Sequence, residues 1–301
     1  MSKTSLVLRF FFGAFRIIPP VVRKSIFIAL FRLFYHVSLK NRMIVIHNLV
    51  RAYPDRRLSD LIAIAKGVYR HVAIVAAEFF DILSMSRENI HEWLDVTGLE
   101  HYQAARRKGR GILFFTGHYG NWEVMAAYFG LAIRPAYIVY RSLDDPFIDQ
   151  VVGRVRGHTG NQLIAKGGAA RRIMRLLRQN EIVGILIDQN VSWREGVFVD
   201  YFGRPASTTA AFATLALQSD ATVLPAFIYR RETGRYMFEI GPEVELRRTG
   251  DFNRDVFANT QKLTAIVETY VRAHPDQWFW FHQRWKTKKC QVPADYDGKT
   301  K

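Results

Sequence analysis

Cysteine is nearly absent from this 301-residue chain, where Cys290 stands alone. One thiol excludes an internal disulfide and any Cys-x-x-Cys redox or zinc motif. Acidic residues are scarce as well. The 27 Asp plus Glu face 43 Lys plus Arg, a formal charge of +16. The loops that mark several large enzyme classes are missing. There is no Gly-x-Gly-x-x-Gly, no Gly-x-x-x-x-Gly-Lys, no Gly-x-Ser-x-Gly and no His-Glu-x-x-His. The common fingerprints of dinucleotide binding, P-loop nucleotide binding, the serine-hydrolase elbow and zinc proteolysis are therefore not present. No metal site is implied, and no internal repeat or low-complexity linker divides the chain.

What is present is a folding composition. Hydrophobic residues make up 49% and aromatics 14%, whereas disordered chains are poor in aromatic and β-branched residues. The length fits one large domain, or one domain with an appendage. The basic balance points to anionic partners: nucleic acid, an acidic membrane surface, acidic proteins or phosphorylated ligands. Basic clusters at Arg106-Arg107-Lys108, at Arg171-Arg172 with Arg175 and Arg178, and at Arg247-Arg248 are dispersed. No helix-turn-helix, RNA-recognition or zinc-finger pattern accompanies them, so nucleic acid is not the expected partner.

The amino terminus favours a membrane surface. Residues 5–39 are strongly apolar, but Arg9, Arg16, Arg23, Lys24 and Arg32 interrupt the run, and Pro19-Pro20 ends any helix begun near Leu6. A spanning helix needs about 20 mostly apolar residues. Arg32, His36 and Lys40 form an i, i+4, i+8 stripe among large apolar side chains, which suits a helix lying where cations meet lipid phosphates. A core helix with a solvated stripe and a tilted span are the alternatives. The arginines and the lack of a small-residue cleavage site argue against a secretory signal. Near the other end, residues 278–289 place three tryptophans beside Arg284, Lys286, Lys288 and Lys289. That segment reads equally as an interfacial aromatic belt or as a buried cluster closing the core.

Beyond residue 95 the pattern becomes α/β. Apolar runs at 111–115, 136–140, 161–164, 182–187, 222–229 and 236–240 read as strands. Helical patterns at 123–129, from 144, at 169–178, at 206–218 and at 253–273 lie between and after them. Strands alternating with helices predict a mostly parallel central sheet flanked by helices. Residues 41–94 read as helical. The expected organisation is a membrane-associated helical arm over 1–40 and one α/β domain over 41–301.

The chemistry concentrates in Thr116-Gly117-His118-Tyr119-Gly120-Asn121-Trp122-Glu123. A histidine follows an apolar strand between two glycines, with a carboxylate five residues on. Five helical steps turn about 500°, so the two side chains diverge on one helix. They converge if His118 lies on the strand-to-helix turn and Glu123 in the first helical turn, which Gly117 and Gly120 would permit. Open α/β sheets bind ligands at the carboxyl ends of their strands, where this segment falls. A carboxylate on an imidazole fixes its tautomer and stabilises the imidazolium. The free nitrogen can then deprotonate a hydroxyl. With no adjacent serine or cysteine nucleophile, direct transfer to an acceptor hydroxyl is the natural reaction. The plain alternative is a histidine that caps a helix.

At these residues the sequence resembles a known family. His118-Tyr-Gly-Asn-Trp-Glu123 is similar to the His-x4-Asp/Glu block of glycerolipid acyltransferases, and most of all to the form found in bacterial lipid A biosynthesis (late) acyltransferases and their phosphatidylinositol mannoside relatives. Further blocks agree in order: Asn48-Leu49 with Ala52-Tyr53-Pro54, Tyr140 to Pro146, Asp188-Gln189, Gly196 to Val199, Phe202 to Ala206 with Thr208-Thr209, and Pro275 to Lys286. The resemblance implies transfer of a fatty acyl chain from acyl carrier protein or coenzyme A to a hydroxyl of a membrane glycolipid, a lipid A precursor first. It implies no cofactor beyond the thioester co-substrate, and a place on the cytoplasmic face of the bacterial inner membrane. His118 would be the general base, with Glu123 its partner. Arg141 would hold a phosphate or headgroup, since guanidinium binds phosphate through two parallel bonds. Asp188 would face the site, Arg204 would be a second anion contact, and Thr208 and Thr209 read as helix caps. A lysophospholipid, an ornithine-type lipid or a mannosylated inositol lipid remains open as acceptor. So does a non-catalytic basic protein that binds membranes or nucleic acid.

Overall fold

A computed structural model describes residues 18–291 of the chain. The beginning of the expected arm, including Arg9 and Arg16, lies outside the described residues. Helix α1 (Pro20–Val37) opens on a proline at its first position, where the missing N–H is not needed. Helices α2 (Leu39–Ala52) and α3 (Leu58–Phe79) follow, and α1 packs along α3. The contact is fixed by buried charge. Arg23 pairs with Asp81, and Lys24 Nζ lies 2.9 Å from Glu78 Oε1. These two cations are therefore spent on internal carboxylates, Arg23 buried and Lys24 partly so. Arg32, His36 and Lys40 are exposed as the stripe predicts, but beside them lie Ile26, Leu30, Leu33 (61% exposed) and Val37 (70% exposed). Among the described residues, no helix is long and apolar enough to cross a membrane.

The central sheet uses β1 (Leu94–Thr97), β2 (Ile112–Thr116), β3 (Tyr137–Tyr140), β4 (Gln162–Ala165), β5 (Ile182–Leu186), β8 (Thr222–Arg230) and β9 (Tyr236–Ile240). Their spatial order is β1-β9-β8-β2-β5-β3-β4. Neighbours run parallel except β8 and β9. Strand β2 is buried at every residue, as a parallel strand covered on both faces must be. One face packs against α4 (Leu99–Arg107), α5 (Trp122–Tyr128) and α6 (Pro146–Gly157). The other packs against α7 (Ala169–Arg178), α8 (Ala211–Ser219), α9 (Phe252–Ala273) and the amino-terminal helices.

Two features depart from the sequence reading, and a third decides between its alternatives. Residues 206–218 are not one helix. Strand β7 (Arg204–Thr209) pairs antiparallel with β6 (Gly196–Tyr201), and α8 begins only at Ala211. The hairpin turns on Phe202 and Gly203, with φ of 58° and 72°. Positive φ at both turn residues is the two-residue geometry that matches strand twist. Thr208 is thus a strand residue, while Thr209 Oγ1 accepts from Ala211 N at 3.3 Å. Strand β1 is a further element that the sequence reading did not list, and it begins at the last residue of the stretch read as helical, residues 41–94. Finally, the tryptophan segment is core: Trp278, Trp280 and Trp285 are buried. Arg284 is buried against the Tyr201 ring and donates to Ser207 O at 2.8 Å. The aromatic-belt reading fails because these indoles pack on one another and on the hairpin instead of facing outward.

Candidate active site

The site follows from sheet register. Strands β2 and β5 are adjacent and parallel, with Thr116 opposite Leu186. Each chain runs on two residues past its strand, to His118 and to Asp188. The Ile187 N–H still donates to Thr116 O at 3.0 Å, so both arrive at the same height above the sheet. Asp188 Oδ1 lies 2.8 Å from His118 Nδ1. A carboxylate only accepts, so the imidazole proton sits on Nδ1 and Nε2 carries the lone pair. Asp188 Oδ2 accepts two further bonds, from His118 N and from Trp278 Nε1, each at 2.7 Å.

Asp188 is buried, with 4% exposure. Burial alone would raise its carboxyl pKa, but the His118 imidazole and the three donated bonds outweigh that and hold it down to about 2. The close approach needs glycine. A Cβ on Gly117 would lie 3.0 Å from Asp188 Oδ2. At Gly120, φ is +57° and a Cβ would meet Ile228 O at 1.7 Å. The chain must turn there, because Asn121 next caps α5 by accepting from Val124 N. From the other side, Phe279 N donates to His118 O at 2.9 Å. The buried tryptophan segment therefore fixes both members of the pair.

The structure gives Glu123 a different partner from the one expected. Its carboxylate accepts Arg156 Nε at 2.9 Å, a second Arg156 bond from Nη2, and Trp122 Nε1 at 2.9 Å. Burial works to lower the Arg156 pKa, and Glu123 more than offsets it. Glu123 reaches the imidazole only through Trp122, whose ring stands edge-on to His118 at 5.3 Å between centroids. Arg141 lies at the cavity mouth, exposed and bonded to Asp144 Oδ1 at 3.0 Å. Arg204 is not brought to the site. It sits on the β6–β7 hairpin, where its Nε donates to Arg51 O at 2.9 Å.

Two neighbours had no role assigned from sequence. Gln189 Nε2 lies 3.4 Å from His118 Nε2. His282 Nε2 accepts from Asn190 N at 2.6 Å, so its proton is on Nδ1, and burial takes its pKa down to about 4. Both stand within blocks that carried the family resemblance, and that was the available signal. Arg156 had none, being one of two arginines on its helix. Among the described residues, no group of His, Cys, Asp and Glu could hold a metal ion.

His118 opens onto a cavity of about 1130 Å³. It is lined from both sheet faces near the point where the β3–β5 ladder stops, after Tyr137–Val183 and Ile138–Gly184. Phe114, Met125, Phe129 and Ile138 line one side, and Met174 and Phe212 the other. Arg141, Lys166 and Arg171 are also in its wall. The arrangement can deprotonate a hydroxyl beside an apolar space with a basic rim.

Comparison with known proteins agrees. The family model for bacterial lipid A biosynthesis acyltransferases matches residues 3–287. The chain is 25% identical over 259 residues to "Lipid A biosynthesis acyltransferase" of Haemophilus influenzae, covering 84% of this chain and 78% of that protein. It is 27% identical over 265 residues to "Lipid A biosynthesis lauroyltransferase" of Escherichia coli, covering 86% and 83%. It is 26% identical over 214 residues to "Phosphatidylinositol mannoside acyltransferase" of Mycobacterium tuberculosis, covering 69% and 66%.

Proposed function

Because the chain belongs to the bacterial lipid A biosynthesis acyltransferase family, we propose that it moves a fatty acyl chain from a thioester donor to a hydroxyl of a lipid A precursor. The observation that carries the mechanism is the His118–Asp188 pair at the mouth of an apolar cavity. Nε2 of His118 takes the proton of the acceptor hydroxyl as its oxygen attacks the thioester carbonyl. Asp188, already ionised, stabilises the imidazolium that forms. The tetrahedral intermediate collapses, the carbon–sulfur bond breaks, and the proton on Nε2 passes to the departing thiolate. Gln189, whose Nε2 lies 3.4 Å from His118 Nε2, turns to the acceptor side in this step and donates to the oxygen that becomes negative. Glu123 acts indirectly, holding Arg156 and orienting Trp122 against the imidazole.

Arg141 meets an anionic group of a substrate at the rim, and its Asp144 bond is exposed enough to exchange. Arg204 serves the hairpin in this account. The donor is acyl carrier protein or coenzyme A, and the basic surface favours an acidic carrier through steering. The exposed apolar stripe of α1 beside Arg32, His36 and Lys40 supports peripheral docking of a membrane-associated arm on an anionic leaflet. In this reading the enzyme works on the cytoplasmic face of the inner membrane. The relative from Mycobacterium tuberculosis favours a second reading, in which the acceptor is a mannosylated inositol lipid.

Purified enzyme given acyl carrier protein or coenzyme A thioesters and a panel of lipid acceptors tests the reading. Transfer to the lipid A precursor is expected. Transfer only to another lipid would replace the acceptor, and no transfer to any would overturn the function.

A further inference from the structure

We infer that Gly184 sets the acyl-chain length the site accepts, by leaving open the path through the apolar space below His118. The inference rests on the acyl-transfer reading. Strand β5 lies inside the sheet, between β2 and β3. Glycine in a strand interior weakens it and often marks the close approach of another group. At most other glycines near the sheet that group is the protein itself. A Cβ at Gly111 would meet Leu177 backbone at 2.5 Å, and one at Gly196 would meet Thr208 O at 2.6 Å. At Gly184 a Cβ would meet nothing within 4 Å. Its φ is not in the left-handed region either. Neither packing nor backbone conformation requires glycine here.

The space that Gly184 leaves is the cavity. Gly184 stands opposite Phe114 on β2 and Ile138 on β3. Side chains opposite one another share a sheet face, and all three line the cavity with Met125 and Phe129. These lining neighbours of Gly184 are all apolar. The charged Glu123 belongs to the first turn of α5, toward His118. Gly184 precedes Asp188 by four residues, a depth of ~13 Å at a strand's rise of ~3.3 Å per residue. Thr116 and Phe114 alternate down β2 on the same face and line the path between. A thioester carbonyl held at His118 thus directs its chain toward Gly184. A side chain at 184 would shorten the space without touching the reacting groups.

The test compares wild type, Gly184→Ala and Gly184→Leu on thioesters of graded chain length, reading kcat/KM for each and thermal unfolding for all. One methylene in a hydrophobic pocket changes discrimination ~10–200-fold. Gly184→Leu is therefore expected to lose at least ~10-fold on the chain wild type prefers, to keep activity on shorter chains, and to move the optimum downward. Gly184→Ala moves the same way by a smaller factor, and it carries the test if the leucine variant does not fold. An unchanged length profile, or an equal loss at every length in a folded variant, overturns the assignment. Wild type that transfers no chain from any donor defeats the acyl-transfer reading itself, a result distinct from a failure of Gly184.

Discussion

At the scale of residues, the decisive event is an exchange of partners. His118 and Glu123 are close in sequence and suggest a pair, yet the carboxylate on the imidazole comes from Asp188. Seventy residues separate the two, and only the β2–β5 register brings them level. That adjacency is a property of the folded sheet, so the strands were legible in the sequence and the pairing was not. Glu123 was read correctly as lying in the first helical turn, but Arg156 occupies it. Two variants separate the roles. Asp188→Asn leaves Nδ1 without an anion and is expected to lower kcat ~10²–10⁴-fold, with unfolding little changed if Trp278 keeps its bond. Glu123→Gln strands the half-buried Arg156, and removing one member of such a pair costs about 3–5 kcal/mol. Urea titration should show that loss, and the double variant Glu123→Gln, Arg156→Met should recover part of it. Loss of catalysis without loss of stability in Glu123→Gln would restore glutamate to the imidazole.

Elements carry the next layer. The segment around Trp278 to Arg284 was legible as aromatic and basic, which left two readings of equal weight. Burial decides between them, because the indoles complete the core, Trp278 Nε1 braces Asp188, and the neighbouring Phe279 N–H holds His118 O. His282 belongs to this segment and gives it a pH dependence. Its folded pKa of about 4 lies below the ordinary histidine value of 6.5. The unfolded chain therefore binds the proton more readily between those values. Stability from this group is present above pH 6.5, falls as pH drops toward 4, and changes no further below. At 1.36 kcal/mol per pH unit the loss reaches ~3 kcal/mol. Denaturant titrations of wild type and His282→Gln at pH 7 and pH 4.5 should show the difference between them shrinking toward acid. A constant difference would mean that His282 is not held neutral by the fold. The β6–β7 hairpin escaped the sequence reading for a local reason: its turn is Phe-Gly, without the usual Asn-Gly or Asp-Gly signal.

On the scale of the whole molecule, the charge of +16 divides among several tasks. Arg23 and Lys24 are spent on holding α1 to the end of α3 and the turn that follows it. Arg284 and Arg156 are internal. Arg32, His36 and Lys40 remain outside, beside an apolar stripe. Leu30→Ser with Leu33→Ser should cut partitioning onto anionic vesicles at least ~10-fold, since each buried leucine is worth ~1.5–3 kcal/mol. Added salt should weaken what remains. Unchanged binding in both assays would move the membrane contact elsewhere. The alternation of strands and helices was legible because burial on both sheet faces writes apolar runs into the sequence. The cavity was not, because it depends on where one ladder stops. The central claim is that His118 acts as the base of an acyl transfer, and it is tested most directly by the steady-state rate of purified His118→Ala with an acyl thioester and a lipid A precursor. A fall of ~10²–10⁴-fold in kcat with the fold intact is predicted, whereas transfer at the wild-type rate would contradict it.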